Sequence, residues 1–203
     1  MKERLLSVFK FILFVLLLPV IISVTASFME NLRSSDARIA MAFGWGVVAY
    51  LILHILFYEP AQIFDTAKAM TEKTVGFLFP LVKIAGFCIP FFTILAFVVY
   101  IPAAKIWPGV DLLPFFVFVA SFFFTMHMVF TANSLKGKQP GWLKENYLLS
   151  MSLIYVVNLI IIACICSFLA QNFSLTEFFN RVGQIAGAIY TASFNQLFVV
   201  EGR

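Results

Sequence analysis

Charge is what this chain has least of: Asp, Glu, Lys and Arg together make up 12% of it, against 62% hydrophobic residues. Soluble domains carry about a quarter charged and about half apolar residues, so a water-soluble class is excluded and an integral membrane protein is implied. A soluble fold of 203 residues would have no core large enough for 26 Phe, and lipid must cover the remainder. Basic clusters are equally scarce, none exceeding three residues, so the net charge of +4 suits anionic lipid headgroups and excludes a nucleic-acid partner.

Cysteine is limited to Cys88, Cys164 and Cys166. An odd count inside apolar windows, with no C-x-x-C, excludes a disulfide framework or a zinc knuckle and leaves small packing residues. Histidine occurs only at positions 54 and 127, and no helix carries a haem-ligating pair. Also missing are G-x-x-x-x-G-K-[ST], G-x-S-x-G and paired carboxylates within a span. The expectation is therefore no cofactor, no metal and no catalytic residue.

What is there is long apolar runs. A helix needs roughly 20 apolar residues to cross about 30 Å of hydrocarbon, and residues 5–28, 39–58, 76–100, 112–132 and 147–170 satisfy that. They are continuously apolar rather than alternating, which favours helices over a barrel. The fold class read here is all-α, a polytopic membrane protein with five transmembrane helices in one domain over residues 1–203. The first window is longer than a signal-peptide core and lacks a small-residue cleavage site, so it reads as a retained anchor. Lys2, Arg4, Lys10, Lys68, Lys73, Lys136, Lys138 and Lys144 outnumber Arg33, Arg38, Lys105, Arg181 and Arg203 on the opposite side. That bias places the N-terminus in the cytoplasm of an inner-membrane protein and, with five spans, the C-terminus outside.

The connectors are short. Residues 29–38 and 101–111 read as tight outer turns, the latter with Trp107 between Pro102 and Pro108, and residues 133–146 as a basic inner loop. In the tail, Ser174 followed by Glu177 is a capping-box pattern, and Phe178, Val182, Ile185 and Ile189 recur at helical spacing. The expectation is an amphipathic interfacial helix over 174–198 lying along the outer face; the rival is a sixth span over 182–200, against which Gln184, Asn195 and Gln196 count.

Polar groups at membrane depth are the candidate functional residues. Lys83 lies about 10 Å into the third window by helical rise, flanked by Pro80 and Pro90; it either snorkels to the inner interface or pairs within a pathway. His54 shares a face with Tyr50 and Tyr58, and His127 shares one with Thr131; an aromatic belt and a packing histidine are the plain readings of each. Asn158, one turn after Tyr155, reads as hydrogen-bond glue between helices. Glu59 and Asp65 belong to a polar stretch, residues 59–74, whose Pro60 suits a first helical turn and whose Lys68 and Glu72 form an i,i+4 pair.

Residues 43–163, with "WGVVAYLILHILFYEP" followed by a helix, an aromatic-rich span and "FFFTMHMVFTANSLKGKQPGWLKENYLLSMSLIYVVNLI", resemble bacterial membrane proteins of the site-2-protease type. In those metallopeptidases a helix after the aromatic-x-Pro turn bears H-E-x-x-H, two His for zinc and a Glu base. The corresponding stretch here is "KAMTE", Lys68 to Glu72, which supplies neither ligand nor base. The resemblance therefore implies a non-catalytic relative. The functional expectation is a structural or accessory subunit, partnered by lipid and by other membrane subunits or its own copy; the alternatives are a divergent intramembrane metallopeptidase and a small transporter or channel subunit using Lys83.

Overall fold

A computed structural model describes residues 2–56, 69, 87–136, 147–170 and 172–198. Lys83, Glu59, Asp65 and most of the stretch 59–74 lie outside the described residues. The described chain is helical: α1 Lys2–Ser35, α2 Ala37–Leu56, α3 Phe91–Ile106, α4 Leu113–Lys136, α5 Tyr147–Leu169 and α6 Leu175–Phe198. Among them α1 (from Val8), α2, α4 and α5 are long and apolar enough to cross a membrane, and α3 is a shorter apolar helix. Large apolar side chains such as Leu5, Phe9, Trp45, Ile55 and Phe168 face outward, which is compatible with a multi-pass membrane protein.

Two expected turns are mostly helix. The expected connector 29–38 shrinks to Asp36, because this residue closes one helix and opens the next. Its N–H donates to the Leu32 carbonyl at 2.9 Å, its carbonyl accepts from Ile39 and Ala40, and its Oδ1 accepts the Arg38 N–H at 2.8 Å as an N-cap. Likewise the expected turn 101–111 is helical up to Ile106, since α3 starts only after Pro90 and runs through Pro102. A residue preceding proline is pushed away from helical geometry, which accounts for the late start after Ile89.

Contacts along the helices fix their directions. From Arg38 with Asp111, through Gly46 with Ser121, to His54 with Phe130, α2 runs parallel to α4. Against α4, α3 is antiparallel, pairing Tyr100 with Phe116 and Phe92 with Phe123. Thr25 of α1 meets Tyr155 of α5 at 2.9 Å, and Phe28 meets Phe173 just beyond α5, so these two helices ascend together. The four candidate spans thus close a ring, α1–α2–α4–α5, around a core that includes Phe28, Phe43, Phe124 and Leu159, with α3 against α4 and α6 against α1.

At Gly46 the backbone of α2 approaches α4 closely. A Cβ built on Gly46 would lie 1.9 Å from Ser121 Oγ and 2.3 Å from the Phe118 carbonyl oxygen, whereas one built on Gly44 meets nothing within 4 Å. A carbonyl on a helix backbone cannot swing aside, so α2 would have to move. We expect Gly46→Ala to destabilise the protein by about 1–3 kcal/mol through overpacking, and Gly44→Ala to be neutral or to stabilise by up to about 1 kcal/mol through helix propensity. Thermal unfolding of the two variants in detergent checks this; equal midpoints would refute the contact.

Candidate functional site

His54, His127 and Asn158 can be placed side chain by side chain. His54 stacks on Tyr50 with centroids 5.7 Å apart and meets the Phe130 ring edge-on. Tyr50 is fully buried with Met126 and Phe130, packed by Phe92, Phe122 and Phe123. His127 is turned about 100° round α4 from Met126, as successive helical residues must be, and its Nε2 lies 3.0 Å from the Phe87 carbonyl. A carbonyl can only accept, so Nε2 carries the hydrogen. The two imidazoles thus serve different packing clusters, one around Tyr50 and one around Phe87. No group of three or more His, Cys, Asp or Glu converges among the described residues.

Asn158 is fully buried, but the hydrogen bond its Nδ2 donates goes to the Ile154 carbonyl of its own helix at 2.8 Å rather than across to a neighbour. The expected glue between helices is supplied elsewhere. Thr25 and Tyr155 join α1 to α5, Thr93 Oγ1 donates to the Ala120 carbonyl and joins α3 to α4, and Asn31 joins α1 to the start of α6. The Asn31 amide grips Ser174 at two points, Nδ2 donating to its carbonyl at 2.8 Å and Oδ1 accepting its N–H at 3.4 Å. Ser174 Oγ in turn accepts the Glu177 N–H at 3.3 Å, half of a capping box; the Glu177 carboxylate pairs with Arg181 at 3.2 Å instead of turning back.

From that grip α6 runs back along the flank of α1. Arg181 pairs with Glu30, and the Tyr190 hydroxyl donates to the Leu16 carbonyl. Ser174 to Tyr190 is about 24 Å of helix and Asn31 to Leu16 about 23 Å, so the two helices lie side by side and antiparallel. Asn31, Glu30 and Leu16 are spread along α1, and each holds a different turn of α6.

The stripe Phe178, Val182, Ile185 and Ile189 faces inward, Phe178 being fully buried and the others half-buried. On the opposite side, at 100° per residue, Asn180, Gly183, Gln184, Gly187, Thr191 and Asn195 form an exposed row. A Cβ built on Gly183 or Gly187 meets no atom within 4 Å, so this row presents amides and bare backbone, with the exposed Phe194 ring among them. The sequence shows it as polar residues off the apolar stripe, but a hydrophobic pattern carries no signal for the glycine spacing within it.

At the Asp36 end of the bundle the charges are paired. Arg38 bridges Asp36 at 2.8 Å and Asp111 at 2.9 Å, closing the α1–α2 corner onto the α3–α4 connection. Hydrogen bonds from the Arg38 side chain and then its backbone N–H hold the Asp36 carboxyl below the ordinary carboxylate range. The ionised form is the one the fold favours, so the contribution is present above the unfolded carboxylate range and is lost as pH falls through the lowered value. Solvent screening keeps it small.

Tyr50 supplies a test of the aromatic cluster. Its hydroxyl is buried with no hydrogen-bond partner among the described residues, and an unsatisfied buried hydroxyl costs roughly 1–3 kcal/mol. Tyr50→Phe is expected to leave the unfolding midpoint unchanged or raise it, read by thermal denaturation in detergent; a clear drop would mean that the hydroxyl is bonded. Comparison of the chain with protein families, with curated proteins and with solved structures found no match in any of the three, and function is read from this geometry alone.

Proposed function

We propose that this chain is a non-enzymatic subunit of a membrane assembly, joined laterally to a second copy of itself through the outward row of α6. With α1 crossing the bilayer, α6 beside it is a sixth span. The amides of Asn180, Gln184 and Asn195 then point away from their own bundle toward hydrocarbon. Polar side chains there are covered by protein in stable assemblies, because lipid offers them no hydrogen bonds. The single observation that carries the reading is this exposed row with glycines at positions 183 and 187.

A second copy fits the row better than an arbitrary partner. Each amide has both donors and an acceptor, so the row complements itself across a two-fold axis, the commonest symmetry of small oligomers. Glycines four residues apart let two backbones approach closely, as helix pairs in membranes do. The exposed apolar surface of α1, α2 and α5 needs only lipid.

The reading has two separable tests. For the sixth span, single cysteines are placed at Lys10, Ser35 and Gln196 in a background lacking Cys88, Cys164 and Cys166, and labelled with an impermeant thiol reagent. Position 196 is expected to label from the same membrane face as 10 and from the face opposite to 35; labelling from the face of 35 would restore an interfacial helix. For assembly, Thr191→Cys is expected to give a cross-linked dimer on mild oxidation, Phe168→Cys on the lipid face none, and Gly187→Leu combined with Thr191→Cys a several-fold loss of the dimer. A monomer at every protein concentration, or cross-linking to a different protein, would reject the second copy as the occupant.

A further inference from the structure

Where the four candidate spans meet, they enclose a cavity of about 310 Å³. Every helix of the ring contributes to its wall: Phe28 and Met29 from α1, Phe43 and Val47 from α2, Phe124 and Met128 from α4, Leu159 from α5. Its size falls at the lower end of small-molecule sites, about 300–1,000 Å³, and its apolar lining with few polar groups is what such sites share. Two thioethers in the wall can adjust to an irregular guest. The cavity is not sealed. A second groove of about 360 Å³, running outward between α1 and α5 past Phe14, Ile21 and Met151, shares Met128 and Tyr155 with it, so these two side chains stand between the cavity and the outer surface of the bundle.

The polar groups of the cavity are the hydroxyls of Thr25, Thr125 and Tyr155, and counting their hydrogens settles what they offer a guest. Each hydroxyl has one hydrogen and two lone pairs. The Thr25 hydrogen goes to the Ile21 carbonyl at 2.7 Å. In the 2.9 Å contact between Thr25 and Tyr155, the donor is therefore Tyr155. The Thr125 hydrogen goes to the Ser121 carbonyl at 2.8 Å. All three hydrogens are committed to the protein, and what faces the cavity is lone pairs, sulfur and ring faces. A guest that only accepts, such as a ketone, ester or ether, finds no donor there and loses the hydrogen bonds it had at the membrane surface. A guest with one hydroxyl can donate to Tyr155 or Thr25.

We propose that this cavity binds a membrane-resident alcohol, an apolar chain or ring bearing a single hydroxyl, which donates to the Thr25–Tyr155 pair while its body lies among Phe28, Phe43 and Phe124. The site is separate from the outward row of α6, and its test is independent of oligomeric state. Tyr155 thereby gains a second role, since the residue that pins α5 to α1 is the one a guest must touch on entering.

The full chain, purified in maltoside detergent, is titrated with decanol and with methyl nonyl ether, which has the same apolar character and no donor. At tenfold excess over its dissociation constant decanol is expected to raise the unfolding midpoint by about 4 °C, and the ether by much less. Val47→Phe, which fills the cavity, is expected to abolish the decanol shift, as is the double variant Thr25→Val, Tyr155→Phe. A diazirine-bearing decanol is expected to label the peptides holding Met29 or Met128, and this readout applies to the wild-type protein even where a variant does not fold. Equal shifts from alcohol and ether, an undiminished decanol shift in Val47→Phe, or labelling confined to lipid-facing positions such as Phe168 would each overturn the proposal.

Discussion

A missing side chain sets the architecture. At Gly46 the backbone of α2 comes so near the Phe118 carbonyl and the Ser121 hydroxyl that a methyl group has no place to go. Around this contact the larger side chains are arranged by size. Phe43 lies on one side against Phe28 and Phe124, and Tyr50 on the other against Phe122. Ser121 adapts to the close approach by folding its hydroxyl back to Phe118 of its own helix at 2.9 Å, leaving no donor pointed at a helix that has none to return.

Parallel neighbours cannot be joined by a short turn, and the chain resolves this by interposing other helices. The α1–α2 corner needs one residue because those helices are antiparallel neighbours, whereas α2 and α4 are separated by everything between Leu56 and Leu113. The short α3 ascends within that passage along the outer side of α4, and the Arg38 bridge to Asp111 ties its exit back to the start of α2. Polar bonds between helices are few. In an apolar setting each has little competition from solvent, so a handful of them can fix register along the ring while ring faces and branched chains fill the space.

Much of the helical content was legible because long apolar runs have few other outcomes, and α2, α4 and α5 sit close to windows 39–58, 112–132 and 147–170. What composition hid was decided by single atoms. Asp36 reads as a turn residue, and only its double duty, donating to the end of α1 and accepting from the start of α2, shows why no turn is needed. Asn158 reads as glue, yet a side chain in mid-helix can donate one turn back, and its Nδ2 does so at Ile154. Conversely Asn31 lay in an expected loop, and its grip on Ser174 has no sequence signal because the partners are backbone atoms. The inward stripe of α6 was readable from its spacing; the direction in which that helix runs was not, since hydrophobicity says which face is buried and nothing about what buries it. The cavity is likewise a property of four helices together, invisible in any one of them.

Helix α1 is held by parts of the chain made long after it. Thr25 waits for Tyr155, Asn31 for Ser174 and Leu16 for Tyr190, separations of 130, 143 and 174 residues. At the usual pace of translation, about 5–20 residues per second, 143 residues take roughly ten seconds or more. For that time α1 and α2, already bent into a hairpin at Asp36, persist without the Ser174 partner of the Asn31 amide. The order of synthesis thus leaves the Asn31 amide without its partner until Ser174 has been made.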